Sequence, residues 1–199
     1  LKNYPDERFY TLYLAREETS QKLFLVKEII LSYRSLTLHK HEIAIMEKIR
    51  HPNIIGLQEH FQEGVYGYLV YPYLEGETLQ EIIQEKSSID ETFARQLLES
   101  IGSVILFLQS LNPPIVHEDI KPANILITRK GHIKLLDFDS ARFLKDTRLF
   151  APSFTHPYVP PEVFLSHQVN VTVDFYALGI TLIHALTGIF PYLFLSDVY

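Results

Sequence analysis

The sequence predicts an α+β fold, with a small antiparallel β lobe carrying one helix ahead of a mainly helical lobe. Two observations carry this. Up to Pro72 the apolar residues alternate or fall in short runs broken by polar turns, the pattern of paired strands. From Thr78 onward they recur at three and four residues, the period of helices. The expected division is residues 1–72 for the first lobe, with five strands and one helix, and 73–199 for the second.

Each element has a local reason. Tyr10–Leu14 and Lys22–Lys27 read as two antiparallel strands joined by the polar turn Ala15–Gln21. His39–Arg50 reads as a helix, with Ile43, Ile45, Met46 and Ile49 close to one stripe and Glu42 falling on it. Gly56–Phe61 and Tyr66–Tyr71 are the next strands. Leu79–Gln84 is a short helix. A long one follows from Asp90 through Leu111, with Leu97, Leu98, Ile101, Ile105 and Leu108 as its apolar face and Ser88 or Asp90 as its N-cap. Asn112-Pro113-Pro114 ends it. Ile125–Thr128 and His132–Leu136 read as a hairpin about a polar turn containing Gly131. Ser140 to Pro161 is polar and turn-rich, a further helix runs through Asp174–Ile180, and Gly188-Ile189-Phe190-Pro191 closes it.

Composition narrows the function classes. A chain of 199 residues, 47% hydrophobic, is long enough for a sizeable core in one domain or two small lobes. A formal net charge of −6 argues against a nucleic-acid binder, which carries a basic stripe. The 13 Phe and 12 Tyr therefore read as core and pocket lining. With no Cys, neither a disulfide framework nor a thiolate metal site is available. His39, His41, His60, His132, His156, His167 and His184 show no metal-ligand spacing and read as surface or core histidines. The longest apolar run, around Ile101–Leu108, is too short to span a bilayer, so no membrane contact is expected within this segment.

The chemistry concentrates in Ile115-Val116-His117-Glu118-Asp119-Ile120-Lys121-Pro122-Ala123-Asn124-Ile125-Leu126-Ile127. Two apolar runs frame an acid, an amine and a carboxamide, which cannot all be buried without partners. The run resembles the catalytic loop of the protein kinase family, in which His-Arg-Asp is followed by an Asn five residues after the Asp. Downstream, Asp137-Phe138-Asp139 resembles that family's metal-binding Asp-Phe-Gly, and the intervening hairpin brings Asp119, Asn124 and Asp137 to one mouth. The resemblance extends to Lys27, with Glu42 fifteen residues on, to His51-Pro52-Asn53-Ile54-Ile55, and to Pro160-Pro161-Glu162, which stands for Ala-Pro-Glu. It implies a bilobal protein-kinase-like fold using ATP and Mg²⁺.

The roles are those the resemblance implies. Lys27, paired with Glu42, orients the ATP phosphates, and Asn124 and Asp137 are the metal ligands. Asp119 takes or orients the proton of the attacking hydroxyl, and Lys121 steadies the transferred phosphoryl group. Leu12, Leu25, Tyr71 (as gatekeeper), Pro72, Leu74 and Leu126 complete the nucleotide site, with the Pro72 carbonyl and the Leu74 N–H reading adenine. Asp174 holds the catalytic-loop backbone, Thr155 bonds Asp119 and Lys121, and His117 packs under the loop. The wording Asp-Ile-Lys-Pro-Ala-Asn is that of serine/threonine kinases, so the implied partner is a protein substrate with a Ser/Thr hydroxyl and the implied location is cytoplasmic.

Departures from the family keep a second reading open. Pro5, Glu7 and Tyr10 stand where the family has glycines over the phosphates, and Leu25 and Tyr71 narrow the adenine site. These favour a pseudokinase acting as a binding or allosteric scaffold. A small-molecule phosphotransferase of the same fold is a third reading, opposed by the Pro-Pro-Glu segment. Glu118 replaces the Arg that docks a phosphorylated activation segment, so phosphorylation of Thr147, Ser153 or Thr155 is expected not to act through that contact. Asp139 adds a carboxylate beside the expected metal site. The family pairs the residue matching Glu162, expected to be buried, with an Arg from later helices. The chain, opening at Leu1 and ending at Tyr199, accordingly reads as a C-terminally truncated piece of a longer protein.

Overall fold

The computed structural model describes residues 10–145, 157–166 and 169–191. Their contacts divide into two compact units. The first holds the described residues up to Arg50 together with Ile55–Glu75, and the second holds His51–Ile54 with those from Gly76 onward.

In the first unit, β1 (Tyr10–Arg16), β2 (Leu23–Ile30), β3 (Glu59–Glu63) and β4 (Tyr66–Pro72) form an antiparallel sheet of order β1-β2-β4-β3. The described residues of this unit hold four strands, against the five expected for residues 1–72. The register sets Leu12 opposite Lys27 and Leu25 opposite Tyr71, so these four share one face. Helix α1 (Tyr33–Met46) begins six residues before the expected His39 and stops four before Arg50. Ser32 and Ser35 explain the early start, each side chain bonding the other's backbone N–H in a reciprocal cap. The buried stripe of α1 is His39, Glu42, Ile45 and Met46, so Glu42 does sit on it.

In the second unit, β5 (Gly76–Thr78), unexpected from sequence, joins β7 (Ile125–Thr128) and β8 (Ile133–Leu135) in a three-stranded sheet. Gly76 is required there, because a Cβ would lie 2.2 Å from the Ile127 carbonyl oxygen. Helix α2 (Leu79–Lys86) is capped by Thr78 and Glu81, and α3 (Glu91–Ser110) by Asp90, one of the two expected candidates. The buried stripe of α3 is Ala94, Leu97, Ile101, Val104, Ile105 and Leu108. Leu98, expected on that face, is 50% exposed: one residue on from Leu97 turns it about 100° away. This stripe packs on α5 (Val173–Thr187), which ends at Gly188 in the left-handed conformation, with φ +67°. Between them in sequence lie β6 (Ile115–Val116), a 3-10 turn (Pro122–Asn124), β9 (Arg142–Phe143), paired with β6, and α4 (Pro161–Ser166). Val116, Val159, Val163 and Val173 form a small apolar cluster that ties β6, α4 and α5 together. Glu162 is exposed rather than buried, since α4 turns Val163 inward instead. Among the described residues no helix is long and apolar enough to cross a membrane.

Candidate active site

The second unit builds its polar centre on the loop after β6. Backbone N–H groups of His117 and Glu118 donate to Asp174 Oδ2 and Oδ1 at 2.8 and 2.9 Å, so α5 grips the loop through one buried carboxylate. Burial pushes the Asp174 pKa up, while the field of His117 and these N–H bonds pull it back. His117 is fully buried, sets its ring edge against Phe138 at 4.6 Å, and bonds the Leu136 carbonyl oxygen through Nε2 at 3.1 Å. Its Nδ1 accepts the Asp119 N–H at 3.3 Å. The ring thus fixes the backbone on either side of the polar cluster, the packing role expected for it.

Asp119 projects from this frame with its side chain 12% exposed. Lys121 Nζ donates to its carboxylate at 2.9 Å. Asn124 Nδ2 donates to its Oδ2 and to its backbone oxygen, both at 2.8 Å. The 3-10 turn makes this possible by folding the chain back between Lys121 and Asn124. Leu136 N donates to the Asn124 carbonyl oxygen at 2.9 Å, which brings Asp137 to the same end of the hairpin. The hairpin itself pairs Ile125 with Leu135 and Ile127 with Ile133, as expected. Asp137 has φ +57°, a left-handed conformation that costs a non-glycine residue energy and tends to persist at functional sites. Asp139 is half-buried, with its N–H directed to Asp137 Oδ1 at 3.4 Å.

The residues present fit a hard divalent cation. Both amide hydrogens of Asn124 are spent on Asp119, which makes its carboxamide oxygen the atom a cation would meet. With the Asp137 carboxylate this is an all-oxygen donor set of the kind Mg²⁺ takes.

The first unit holds Lys27 and Glu42. Lys27 Nζ donates to Glu42 Oε1 at 3.1 Å and Oε2 at 3.0 Å, with both residues 4% exposed. Tyr71 adds a hydrogen bond from its hydroxyl to Glu42 Oε1 at 3.1 Å, and the Tyr10 ring lies 4.5 Å from Lys27 Nζ. Leu12, Leu25, Pro72 and Leu74 are half-buried, Leu25 directly across from Tyr71, while Leu126 belongs to β7 of the second unit and is buried. Pro5, Glu7, Thr147, Ser153, Thr155, His156 and His167 lie outside the described residues.

Two contacts had no announcement in the sequence. One is the Tyr71 hydroxyl on Glu42, where Tyr71 is expected only as a bulky gatekeeper. The other is Arg142, whose guanidinium bonds the Glu118 carboxylate through Nε and through Nη2, the latter at 2.6 Å. Glu118 is itself in the left-handed conformation, with φ +65°. Burial pushes its pKa up, and Arg142 pulls against that shift.

The chain matches the family model for the protein kinase domain over residues 8–196. It is 32% identical over 200 residues to the serine/threonine-protein kinase cds1 of Schizosaccharomyces pombe, covering 92% of this chain and 43% of that protein. It is 32% identical over 183 residues to the 3-phosphoinositide-dependent protein kinase 1 of Arabidopsis thaliana, covering 86% and 36%. With Aurora kinase A-A of Xenopus laevis it shares 28% identity over 189 residues, covering 93% and 46%. The chain spans less than half the length of these relatives.

Proposed function

The chain belongs to the protein kinase family, and on that premise we propose that it transfers the γ-phosphoryl group of ATP, with Mg²⁺, to serine or threonine hydroxyls of a protein substrate. The observation that carries this reading is the buried Lys27–Glu42 pair. Replacing a buried ion pair by apolar side chains is often neutral or stabilising, so fold stability alone gives no reason to keep one. A fixed positive charge for phosphates does.

In this reading Glu42 holds Lys27 so that its ammonium orients the phosphates. The Pro72 carbonyl and the Leu74 N–H take the polar edge of adenine, with Leu12 and Leu25 against its ring. Asp119, itself steadied by Asn124, accepts the proton of the attacking hydroxyl. The hydroxyl oxygen forms the new bond to phosphorus as the bond to the ADP oxygen breaks, and Lys121 balances charge on the group in transit. Asp137 and Asn124 would hold Mg²⁺, which when bound neutralises negative charge on the phosphates. A protein substrate belongs to the same reading, in line with the serine/threonine-protein kinase name of the cds1 relative, and we propose a cytoplasmic site of action beside it.

The test is phosphate transfer from ATP·Mg²⁺ to dephosphorylated casein, followed by phosphoamino-acid analysis. Asp119→Asn should lower turnover by about 10²- to 10⁴-fold, the usual worth of a positioned general base. Phosphotyrosine as the product would overturn the hydroxyl assignment. If wild-type protein transfers nothing, and ATP·Mg²⁺ gives no thermal shift that Asp137→Ala removes, the scaffold reading replaces this one.

A further inference from the structure

The residue before Asp119 carries the opposite charge to the one the family places there, and its partner also has the opposite sign. Glu118 buries its side chain to 3% exposure, and Arg142, at 14%, closes on it with two N–H groups. Arg142 is placed by β9, whose register sets it opposite Val116 in β6. Ala141 N to the Phe138 carbonyl at 3.1 Å and Leu144 N to the Pro114 carbonyl at 2.8 Å anchor both sides of it. On its other side Glu118 hangs by its N–H from Asp174. Two buried carboxylates, Glu118 and Asp174, therefore flank the turn that delivers Asp119, and Arg142 supplies the guanidinium that faces Glu118.

Without Arg142 the Glu118 carboxylate would be buried unpaired, a state relieved only by moving the loop or taking up a proton. Glu118 also sits at positive φ, a conformation that persists only where its surroundings over-determine it. The Arg142 fork is such a constraint, because two parallel N–H···O bonds fix direction as well as distance.

We propose that Arg142 is a positioning residue for Asp119, acting through Glu118, and that this charge-reversed clamp anchors the stretch after Asp137 without any phosphate. The inference rests on the phosphoryl-transfer reading for its consequence in catalysis, and on the geometry alone for its consequence in loop order.

Two readouts separate those parts. The first is steady-state phosphate transfer by wild type, Arg142→Met, Arg142→Lys and the charge-swapped Glu118→Arg/Arg142→Glu. The Met variant should lose about 10- to 100-fold in kcat, the cost of a catalytic group misplaced by about an ångström. Its KM for ATP should move by less than about threefold, because nucleotide binding does not use this clamp. The Lys variant keeps the charge but not the fork and should fall between Met and wild type. The swap should recover part of the kcat that Arg142→Met loses. The second readout is amide hydrogen exchange, which needs no activity. Arg142→Met should speed exchange at Glu118, Asp119 and Ile120 and leave the α3 amides unchanged. If Met unfolds the chain, so that every amide speeds up, the same comparison is made on Arg142→Lys.

Wild-type kcat in Arg142→Met, or loop exchange identical to wild type in the folded variant, overturns the proposal. If wild type itself transfers no phosphate, the phosphoryl-transfer reading fails, and the exchange comparison alone decides whether Arg142 orders the loop.

Discussion

Tyr71→Phe deletes one oxygen and nothing else, from a residue that is 7% exposed. The deleted hydroxyl donates to Glu42 Oε1 at 3.1 Å, the same oxygen that receives Lys27 Nζ. Hydrogen bonds to charged groups contribute about 1.5–3 kcal/mol. Glu42 keeps Lys27, so the substitution leaves no isolated charge and the expected loss is about 2 kcal/mol. For a chain of this size that lowers Tm by about 4–8 °C. Glu42→Gln is harsher, because it neutralises the buried carboxylate that receives both Lys27 Nζ and the Tyr71 hydroxyl, and should cost about 3–5 kcal/mol. The two substitutions act on one carboxylate and must not add. The double variant should be less destabilised than the sum of the singles by more than about 0.5 kcal/mol, the limit within which independent sites add. Thermal unfolding of the four proteins measures this. Additive losses, or a Tyr71→Phe protein as stable as wild type, refute the coupling of Tyr71 to the ion pair.

Three further outcomes are expected. Asp174→Asn replaces one of two acceptor oxygens by an amide that faces a backbone N–H of His117 or Glu118; it should destabilise by about 2–3 kcal/mol and reduce phosphate transfer, and unchanged unfolding would show that the loop does not hang from α5. Gly188→Ala places a Cβ 1.7 Å from the Ser87 carbonyl oxygen at φ +67°, so strain and clash together should cost about 3 kcal/mol or more in denaturant unfolding, against no effect if the α2 and α5 ends can separate freely. His39, His51 and His184 all have pKa values held below the ordinary 6.5, chiefly by burial. The unfolded chain therefore takes up protons first as pH falls, and their contribution is complete above 6.5 and lost as pH drops through the folded values. The raised Glu118 and Asp174 carboxylates work in the opposite sense, so the difference is the test: between about pH 7 and pH 5.5 Tm should fall more in wild type than in His184→Asn, and identical profiles contradict the assignment.

Sequence made legible whatever is decided within a few residues. The Gly131 hairpin, the Asp90 cap, the apolar stripe of α3 and the left-handed stop at Gly188 all rest on local turn, cap and period chemistry. The early start of α1 was available too, in Ser32 and Ser35, but a Ser at the third position is a weaker signal than the usual Glu or Gln. Contacts between distant residues left no local trace. Asn53 accepts the Leu135 N–H at 2.7 Å and donates to the Ile133 carbonyl, 80 residues away, which draws His51–Ile54 into the second unit although a helix of the first precedes them. Strand β5 forms because Gly76 admits Ile127 closely, a fact about tertiary approach rather than propensity. Glu118 and Arg142, 24 residues apart, each look like a solvated charge until β6 and β9 pair. The Asp119–Asn124 interval was readable because the 3-10 turn closes it within five residues.

Backbone strain and buried charge meet at Glu118, and that coincidence is itself an argument about purpose. Lys27, Glu42, Glu118 and Asp174 are all buried, and each has a charged or N–H partner within its own unit. Such arrangements add little net stability, since the cost of desolvating the charges offsets most of their attraction. What they do supply is direction: Asp174 fixes the loop backbone, Glu118 fixes its turn, and Glu42 fixes Lys27. The positive φ angles of Glu118 and Asp137 cost about 1–3 kcal/mol each and bracket Asp119 and Asn124 in the chain. On the phosphoryl-transfer reading such alignment has a use, because the rate of a catalytic group depends on placement to within a fraction of an ångström.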